Sequence, residues 1–473
     1  MSRTADSSSS GRLGDVCVLG LGSTGEAVAR YCLGLVGSRV DSVTVWGGSA
    51  SAESDLSRAL AEAGARVRLG TDEVAGSYDL CVASPGISEF SGFFAAARSC
   101  SGEIVGEPEF AWRESPDRWV GITGTNGKTT TTTLVRDLLR AGGLDAEAVG
   151  NIGRLAIAEV SGRREGEWLV AELSSFQLAT TSRLHPRVGV LLNVTPDHLA
   201  WHGTLENYAA AKRRLFANLS GHDLAVVSVD DGPCRAVADD LARRGVRVCR
   251  LSVGPFSDSL EPDVAYVSGG GRLVVRLDGR DHPLCTVEEL PIKGSHNVEN
   301  ALAASAAALE VGCGLDAVRG GLLAFAPLEH RIEPCGESRG VRFVNDSKAT
   351  NTDATLKALT AFPEGHVVLM LGGHDKGTDL ADLSAEVRRT CKAAVCFGDA
   401  RERLSSSLEG APIPVVGAEH LADALEQACR LASSGDVVLL SPACSSFDEF
   451  SGFEERGRAF KRLVAQAISD GRA

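Results

Sequence analysis

Trp119-Val120-Gly121-Ile122-Thr123-Gly124-Thr125-Asn126-Gly127-Lys128-Thr129-Thr130 is the stretch from which the fold is read. Its first five residues form an apolar run of strand length, and Leu134 and Leu138 continue beyond it at helical spacing. A strand that enters a helix through a glycine loop aims backbone N–H groups at an anion. Lys128 adds positive charge near a β- or γ-phosphate, and the Thr129 hydroxyl is a ligand for Mg2+. The strict phosphate-loop pattern has Gly at 122, where Ile122 stands, so the glycine spacing is shorter while the Gly-Lys-Thr core is intact. On this motif alone, a Ser/Thr-rich turn without nucleotide is the alternative.

Working outward, the same strand–turn–helix grammar recurs on both sides. Val16–Leu19 leads into Gly20-Leu21-Gly22-Ser23-Thr24-Gly25 and a helical run from Glu26 to Leu35, with further strands at Val43–Trp46 and Leu80–Ala83. After the central loop, strands are predicted at Trp168–Glu172 and Val188–Leu192. A third set is predicted at Arg342–Asn345, Val367–Leu371, Ala394–Phe397 and Val437–Leu440. Strands alternating with helices imply parallel sheets. The expected fold is therefore α/β with three domains: a Rossmann-like N-terminal domain over residues 15–115, a central P-loop ATPase-type domain over 116–327, and a Rossmann-like C-terminal domain over 328–473. Residues 1–14 are Ser-rich, carry no apolar signal core and read as a disordered tail.

Three domains suit a length of 473 residues at roughly 150 residues each. The net charge of -14 argues against nucleic acid or an anionic membrane as a general partner. No run of about 18 apolar residues occurs, so no membrane insertion is expected. The 13 cysteines include no C-x-x-C pair, which fits reduced thiols in the cytoplasm better than a zinc site.

The N-terminal Gly20-x-Gly22-x-x-Gly25 has the spacing of a dinucleotide fingerprint. The second strand, however, ends in Trp46-Gly47-Gly48 with no ribose-binding carboxylate. NAD, another diphosphate such as that of a UDP-sugar, and a bare tight turn all remain open on this motif. Glu172 ends a strand facing the phosphate loop and is suited to hold Mg2+; taken alone it reads as a solvated residue or a cap. Asp197-His198 follows the next strand and brings a carboxylate and an imidazole to the same rim. Asn297 and Asn300 share a helix face and suit either a purine edge or a helix cap. His330-Arg331 and Asn345-Asp346-Ser347-Lys348-Ala349-Thr350-Asn351 suit a place where phosphate charge moves, or simple surface ion pairs.

Four ordered motifs, 124–130, 172–178, 345–351 and Leu440-Ser-Pro-Ala-Cys-Ser-Ser446, resemble those of the Mur ligase family. The resemblance spans Val16 to Leu463 and is greatest to the member adding D-glutamate to UDP-N-acetylmuramoyl-L-alanine. It implies a monomeric ATP-dependent ligase of peptidoglycan precursor synthesis, with two Mg2+. Residue by residue, it implies that Gly124, Thr125, Asn126, Gly127, Lys128, Thr129 and Thr130 cradle the phosphates, and that Asn300, Arg331 and Asp346 contact ATP. Ser23, Thr24 and Gly86 are implied for the UDP moiety, and Asn151 and Gln177 for the muramoyl part. Thr129, Glu172, His198 and a carbamylated Lys212 are implied for metal, and Lys348, Thr350, Lys376, Ser446 and Phe453 for D-glutamate and the reacting phosphate. Two departures stand out: Trp46-Gly47-Gly48 replaces an acidic uracil contact, and Leu199-Ala200-Trp201-His202-Gly203 replaces an Asp-Arg pair. A folylpolyglutamate-synthase-like ligase, another amino-acid adder of the pathway and a non-catalytic nucleotide-binding regulator are the rival readings. Gly20–Gly25 speaks against the first, and the joint presence of Lys128, Glu172, His198 and Lys212 against the last.

Overall fold

In a computed structural model, residues 11–254, 261–375 and 377–471 are described. Among these residues the strands form three sheets. The first holds β1 (Gly14–Leu19), β2 (Val40–Trp46), β3 (Arg66–Arg68), β4 (Tyr78–Ala83) and β5 (Ser101–Gly106), all parallel, in the order β3-β2-β1-β4-β5. The second holds β6 (Trp119–Thr123), β7 (Ala146–Gly150), β8 (Trp168–Glu172), β9 (Val188–Leu191), β10 (Leu224–Ser228), β11 (Arg247–Ser252), β12 (Val264–Val267), β13 (Arg272–Leu277) and β14 (Arg280–Thr286). Their order is β14-β13-β12-β11-β10-β9-β6-β8-β7, parallel except for the β12–β13–β14 meander. The third holds β15 (Glu333–Ser338), β16 (Val341–Asn345), β17 (Val367–Gly372), β18 (Cys391–Phe397), β19 (Val415–Gly417) and β20 (Val437–Ala443) in the order β15-β16-β20-β17-β18-β19, with β15 antiparallel.

β6, β8, β17 and β20 are buried along their whole length, as strands covered by helices on both faces must be. The chain divides into two compact units. One comprises Met1–Val287 with Glu299–Leu323 and carries the first two sheets; the other comprises Glu288–Val298 with Ala324–Ala473 and carries the third. In each sheet the strand order reverses beside one strand, and there the carboxyl-end loops leave a crevice. Those points lie beside β1 and β4, beside β6 between β8 and β9, and around β16, β20 and β17.

Of the stretch read as a tail, residues 11–14 are described, and Arg12, Leu13 and Gly14 are bonded to the first sheet and its surroundings. Residues 1–10 lie outside the described residues, but the Leu13 N–H donates to Arg39 O at 2.8 Å and Arg12 pairs with Asp41 at 2.6 Å. Gly14 already pairs in β1. None of the 13 cysteines is in a disulfide. Among the described residues, no helix is long and apolar enough to cross a membrane.

The helix Glu107–Glu114, which follows β5, fastens to the second sheet's surroundings through two carboxylates with 0% exposure. Glu109 accepts from Ser182 Oγ and from the Arg183 N–H, both at 3.0 Å, and pairs with Arg113. Glu107 accepts the Ile157 N–H at 2.7 Å, while its Oε2 is buried without a partner. Burial pushes the Glu107 carboxyl up to about 7. Folding therefore raises its proton affinity, so its contribution to stability is present at low pH and is lost as pH rises from about 4.5 to about 7. The loss is roughly 3 kcal/mol by the linkage relation. Glu107→Gln is expected to flatten that part of the profile and to melt above the parent at pH near 8, in thermal unfolding followed across the range. Asp346, also pushed up to about 7 by burial, leaves a residual slope of the same sign.

Candidate active site

In the second sheet three loops converge at the carboxyl ends of β6, β8 and β9. The loop after β6 turns into the helix Lys128–Ala141 at Gly127, which sits in the left-handed region at φ 84°. A Cβ there would lie 2.4 Å from Asn300 Oδ1, so both the conformation and the space demand glycine. Asn300 is 2% exposed and accepts from Thr131 Oγ1 at 3.1 Å, so it braces the loop from behind.

The loop is more self-contained than the motif suggests. The Thr125 N–H donates to Asn193 O at 2.9 Å, and the Asn126 N–H donates to Asn193 Oδ1 at 2.8 Å. Thr125 Oγ1 donates to Thr195 O at 3.1 Å and accepts the Thr195 N–H. Two of the N–H groups expected to meet phosphate are thus committed to the β9 loop. The N–H groups to which the helix itself offers no acceptor are those of its first turn, at Thr129 and Thr130, and they are suited to meet an anion. Lys128 folds over the loop, its Nζ donating to Gly124 O at 2.9 Å and Thr125 O at 2.8 Å.

Lys212 arrives from the helix Leu205–Arg213, where its position reads as one more surface cation, yet it is 1% exposed. Its Nζ donates to Gly124 O at 2.7 Å and lies 4.4 Å from the Tyr208 ring centroid. Burial, then the charge of Lys128, lowers its pKa well below the usual lysine value; Asp197 and Glu172 oppose that shift. Tyr208 donates its hydroxyl to Thr125 Oγ1 at 3.2 Å, which ties this helix to the loop.

Glu172, 2% exposed, ends β8. Its Oε1 accepts from Asn151 Nδ2 at 3.0 Å, and its Oε2 is buried with no hydrogen-bond partner. That orphaned carboxylate oxygen beside an anion-directed loop fits a bound cation. His198 has φ 54° and sits at the start of the one-turn helix Leu199–His202; its ring packs edge-on against Phe176 with centroids 4.8 Å apart. Gln177 has a structural duty: its Oε1 accepts the Ser174 N–H and hydroxyl, both at 2.9 Å, closing a capping box. Among the described residues no group of three or more His, Cys, Asp or Glu is placed to hold a metal ion.

In the first sheet, Ser23 and Thr24 open the helix Ser23–Leu33 after β1, and Gly86 lies in the turn after the neighbouring β4. Gly25 must lack a Cβ, because one would lie 2.0 Å from Gly20 O. Trp46 turns into the core, 5% exposed, with Nε1 donating to the Tyr78 hydroxyl at 3.0 Å. In the loop after β3, Asp72 accepts the Ser49 N–H at 2.7 Å and its hydroxyl at 2.8 Å.

In the other unit, Asp346 is 6% exposed and accepts from Ser441 Oγ at 2.7 Å and the Ile332 N–H at 3.2 Å. Its neighbour His330, beside Arg331, contacts Asn345 Nδ2 through Nδ1 at 2.9 Å. Lys348 Nζ lies 3.6 Å from the ring centroid of Phe453, and the Phe453 carbonyl accepts from Ser347 Oγ at 2.9 Å. Thr350 follows on the same loop, and Ser446 is buried after β20. Lys376 lies outside the described residues. One residue here escaped the sequence reading: Arg456, 0% exposed, donates to the carbonyls of Ser347, Gly372, Cys444 and Ser445 and to Ser347 Oγ. It gathers the loops that follow β16, β17 and β20.

Residues 122–308 match the Mur ligase middle domain, and residues 330–444 match the Mur ligase, glutamate ligase domain. A UDP-N-acetylmuramoylalanine--D-glutamate ligase of Acidobacterium capsulatum is 41% identical over 452 residues, which are 95% of each chain. The chain belongs to the Mur ligase family. A ligase of the same name from Pelotomaculum thermopropionicum is 39% identical to this Mur ligase, over 95% of it and 97% of the relative. Among solved structures, a pseudomurein peptide ligase type C from Methanothermus fervidus shares the Mur ligase fold at a TM-score of 0.60. It covers 96% of this chain and 99% of its own at 16% identity.

Proposed function

We propose that the chain is an ATP-dependent ligase that joins D-glutamate to UDP-N-acetylmuramoyl-L-alanine through an acyl phosphate, as a monomer in the cytoplasm. The observation that carries this reading is the near-full-length similarity to relatives bearing that activity in their name. The meeting of Lys128 and Lys212 on the Gly124 carbonyl, with Glu172 near enough to act on the charge of Lys212, supports the ATP half of the chemistry.

A carboxylate is a poor electrophile with no good leaving group, so it needs activation. A carboxylate oxygen attacks the γ-phosphorus of ATP and ADP departs. The D-glutamate amine then attacks the acyl carbon, the C–O bond to phosphate breaks, and the nitrogen gives up a proton. The first step brings anions together, so cations are needed. Lys128 and the first-turn N–H groups of Thr129 and Thr130 are assigned to the triphosphate, Asn300, Arg331 and Asp346 to the rest of ATP, and Lys348 to the transferring phosphate. Ser23, Thr24, Gly86, Asn151 and Gln177 are assigned to the UDP-muramoyl substrate, and Thr350, Lys376, Ser446 and Phe453 to D-glutamate. Thr129, Glu172, His198 and carbamylated Lys212 are assigned to Mg2+, which when bound supplies positive charge against that repulsion. Asn300 and Gln177 also brace the helix after the loop and close the helix cap through their side-chain oxygens.

Purified protein with ATP, UDP-N-acetylmuramoyl-L-alanine and a panel of amino acids is expected to release phosphate only when D-glutamate is present. Release with a different amino acid, or without the muramoyl substrate, overturns the assignment.

A further inference from the structure

His202 lies in the stretch where the sequence departs from the family's Asp-Arg pair, and it is 3% exposed. Its Nε2 is 2.9 Å from Ser175 Oγ, in the turn that follows Glu172. Its ring stacks on Phe176 at 2° with centroids 5.6 Å apart, and packs against Tyr208 at 5.3 Å. Phe176 in turn touches the His198 ring at 4.8 Å and the Trp201 ring at 4.6 Å. The His202 N–H donates to His198 O at 3.1 Å, and its carbonyl accepts from Asn207 Nδ2 at 2.9 Å. One side chain therefore joins the turn after β8, the loop after β9 and the helix bearing Tyr208 and Lys212.

We propose that His202 is a positioning residue for the ligase reaction, holding Phe176, which also contacts the His198 ring, so that Glu172 and His198 keep their relative placement. This rests on the reading of Glu172 and His198 as cation ligands. His198 holds a left-handed backbone that a non-glycine residue adopts at a cost, and something must hold it there. The backbone bond from His202 and the edge-on contact with Phe176 both act on that residue. A bland core histidine would satisfy its own ring and no more; this one contacts both arms that bear the assigned ligands.

The test uses the full chain with His202→Phe, which keeps a ring for the stack and loses the Ser175 contact, His202→Gln, which does the reverse, and His202→Ala. Mn2+ binding is read by paramagnetic resonance with a non-hydrolysable ATP analogue, and kcat, KM and the Mg2+ activation constant are read in the ligase assay. Loss of a group that orients metal ligands typically costs roughly 10–100-fold in metal affinity or activity. His202→Ala is expected to weaken Mn2+ binding and lower kcat within that range, with KM for both substrates changed less than about twofold and each single-feature variant intermediate. The proposal is overturned if His202→Phe and His202→Gln fold and bind Mn2+ as the parent does, or if kcat and Mg2+ dependence are unmoved. Failure of the functional reading itself appears separately, as a parent chain that forms no amide bond while its Mn2+ binding still reports on His202.

Discussion

Lys128→Ala is expected to lower phosphate release by roughly 10²–10³-fold or more, the usual loss when one donor to developing charge is removed. The melting temperature should move little. Lys128 is only half-buried, and what its Nζ holds are the carbonyls of Gly124 and Thr125, whose loop is independently tied to Asn193, Thr195 and Asn300. The loop therefore keeps its shape while losing its charge, and the defect should fall on nucleotide turnover. Thr125 and Asn126 spend their N–H groups on Asn193, so the ammonium carries more of the phosphate attraction than in a loop with every amide pointing outward. Lys128→Arg should also be impaired, because a planar fork does not fit where a compact ammonium bridges two adjacent carbonyls. Phosphate release and binding of a fluorescent ATP analogue, measured side by side, check the effect; a near-parental rate removes the phosphate role.

What could be read in the sequence was what local rules encode. Fully buried parallel strands appear as bare apolar runs, and β6 and β8 were placed to the residue. The meander β12–β13–β14 was missed although its signal was present. Asp278-Gly279 joins β13 to β14 with both residues at positive φ, the usual chemistry of a two-residue hairpin. Arg339-Gly340 does the same between β15 and β16, with an arginine where few would look for that conformation. The site was legible where a motif lies on one loop, as at Gly124–Thr130, and illegible where it depends on distant partners. Arg456 reads as a charged residue on the surface of a helix; only the gathering of four loop carbonyls around it reveals a buried guanidinium. His202 and Asp72 are similar, since nothing in their neighbours in sequence announces Ser175 or Ser49. Gln177, a ligand by resemblance, also has a duty its position did not announce, since its Oε1 closes a helix capping box.

Lys212→Ala is expected to be nearly inactive and to regain part of its rate when formate or acetate is added at high concentration. The argument begins with burial. A lysine 1% exposed, its pKa lowered well below the usual value by burial and by Lys128, carries a larger share of neutral amine than a surface lysine, and the neutral form adds to carbon dioxide to give a carbamate and a proton. The donor set supplies the motive. On the proposed reading Glu172 and His198 hold Mg2+, and a carbamate on Lys212 would convert a cation into a further oxygen ligand for it. The same conversion turns Lys212 from a repeller of Lys128 into its partner. Lys212→Ala leaves a hole near Gly124 O and Tyr208 into which a small carboxylate fits, restoring the oxygen without restoring the amine. The readout is ligase rate against added carboxylate, with the intact mass of the parent protein under carbon dioxide alongside. If the alanine variant is not rescued and the parent shows no carbamate, Lys212 acts as a plain buried amine on the Gly124 carbonyl and the further oxygen ligand must come from elsewhere.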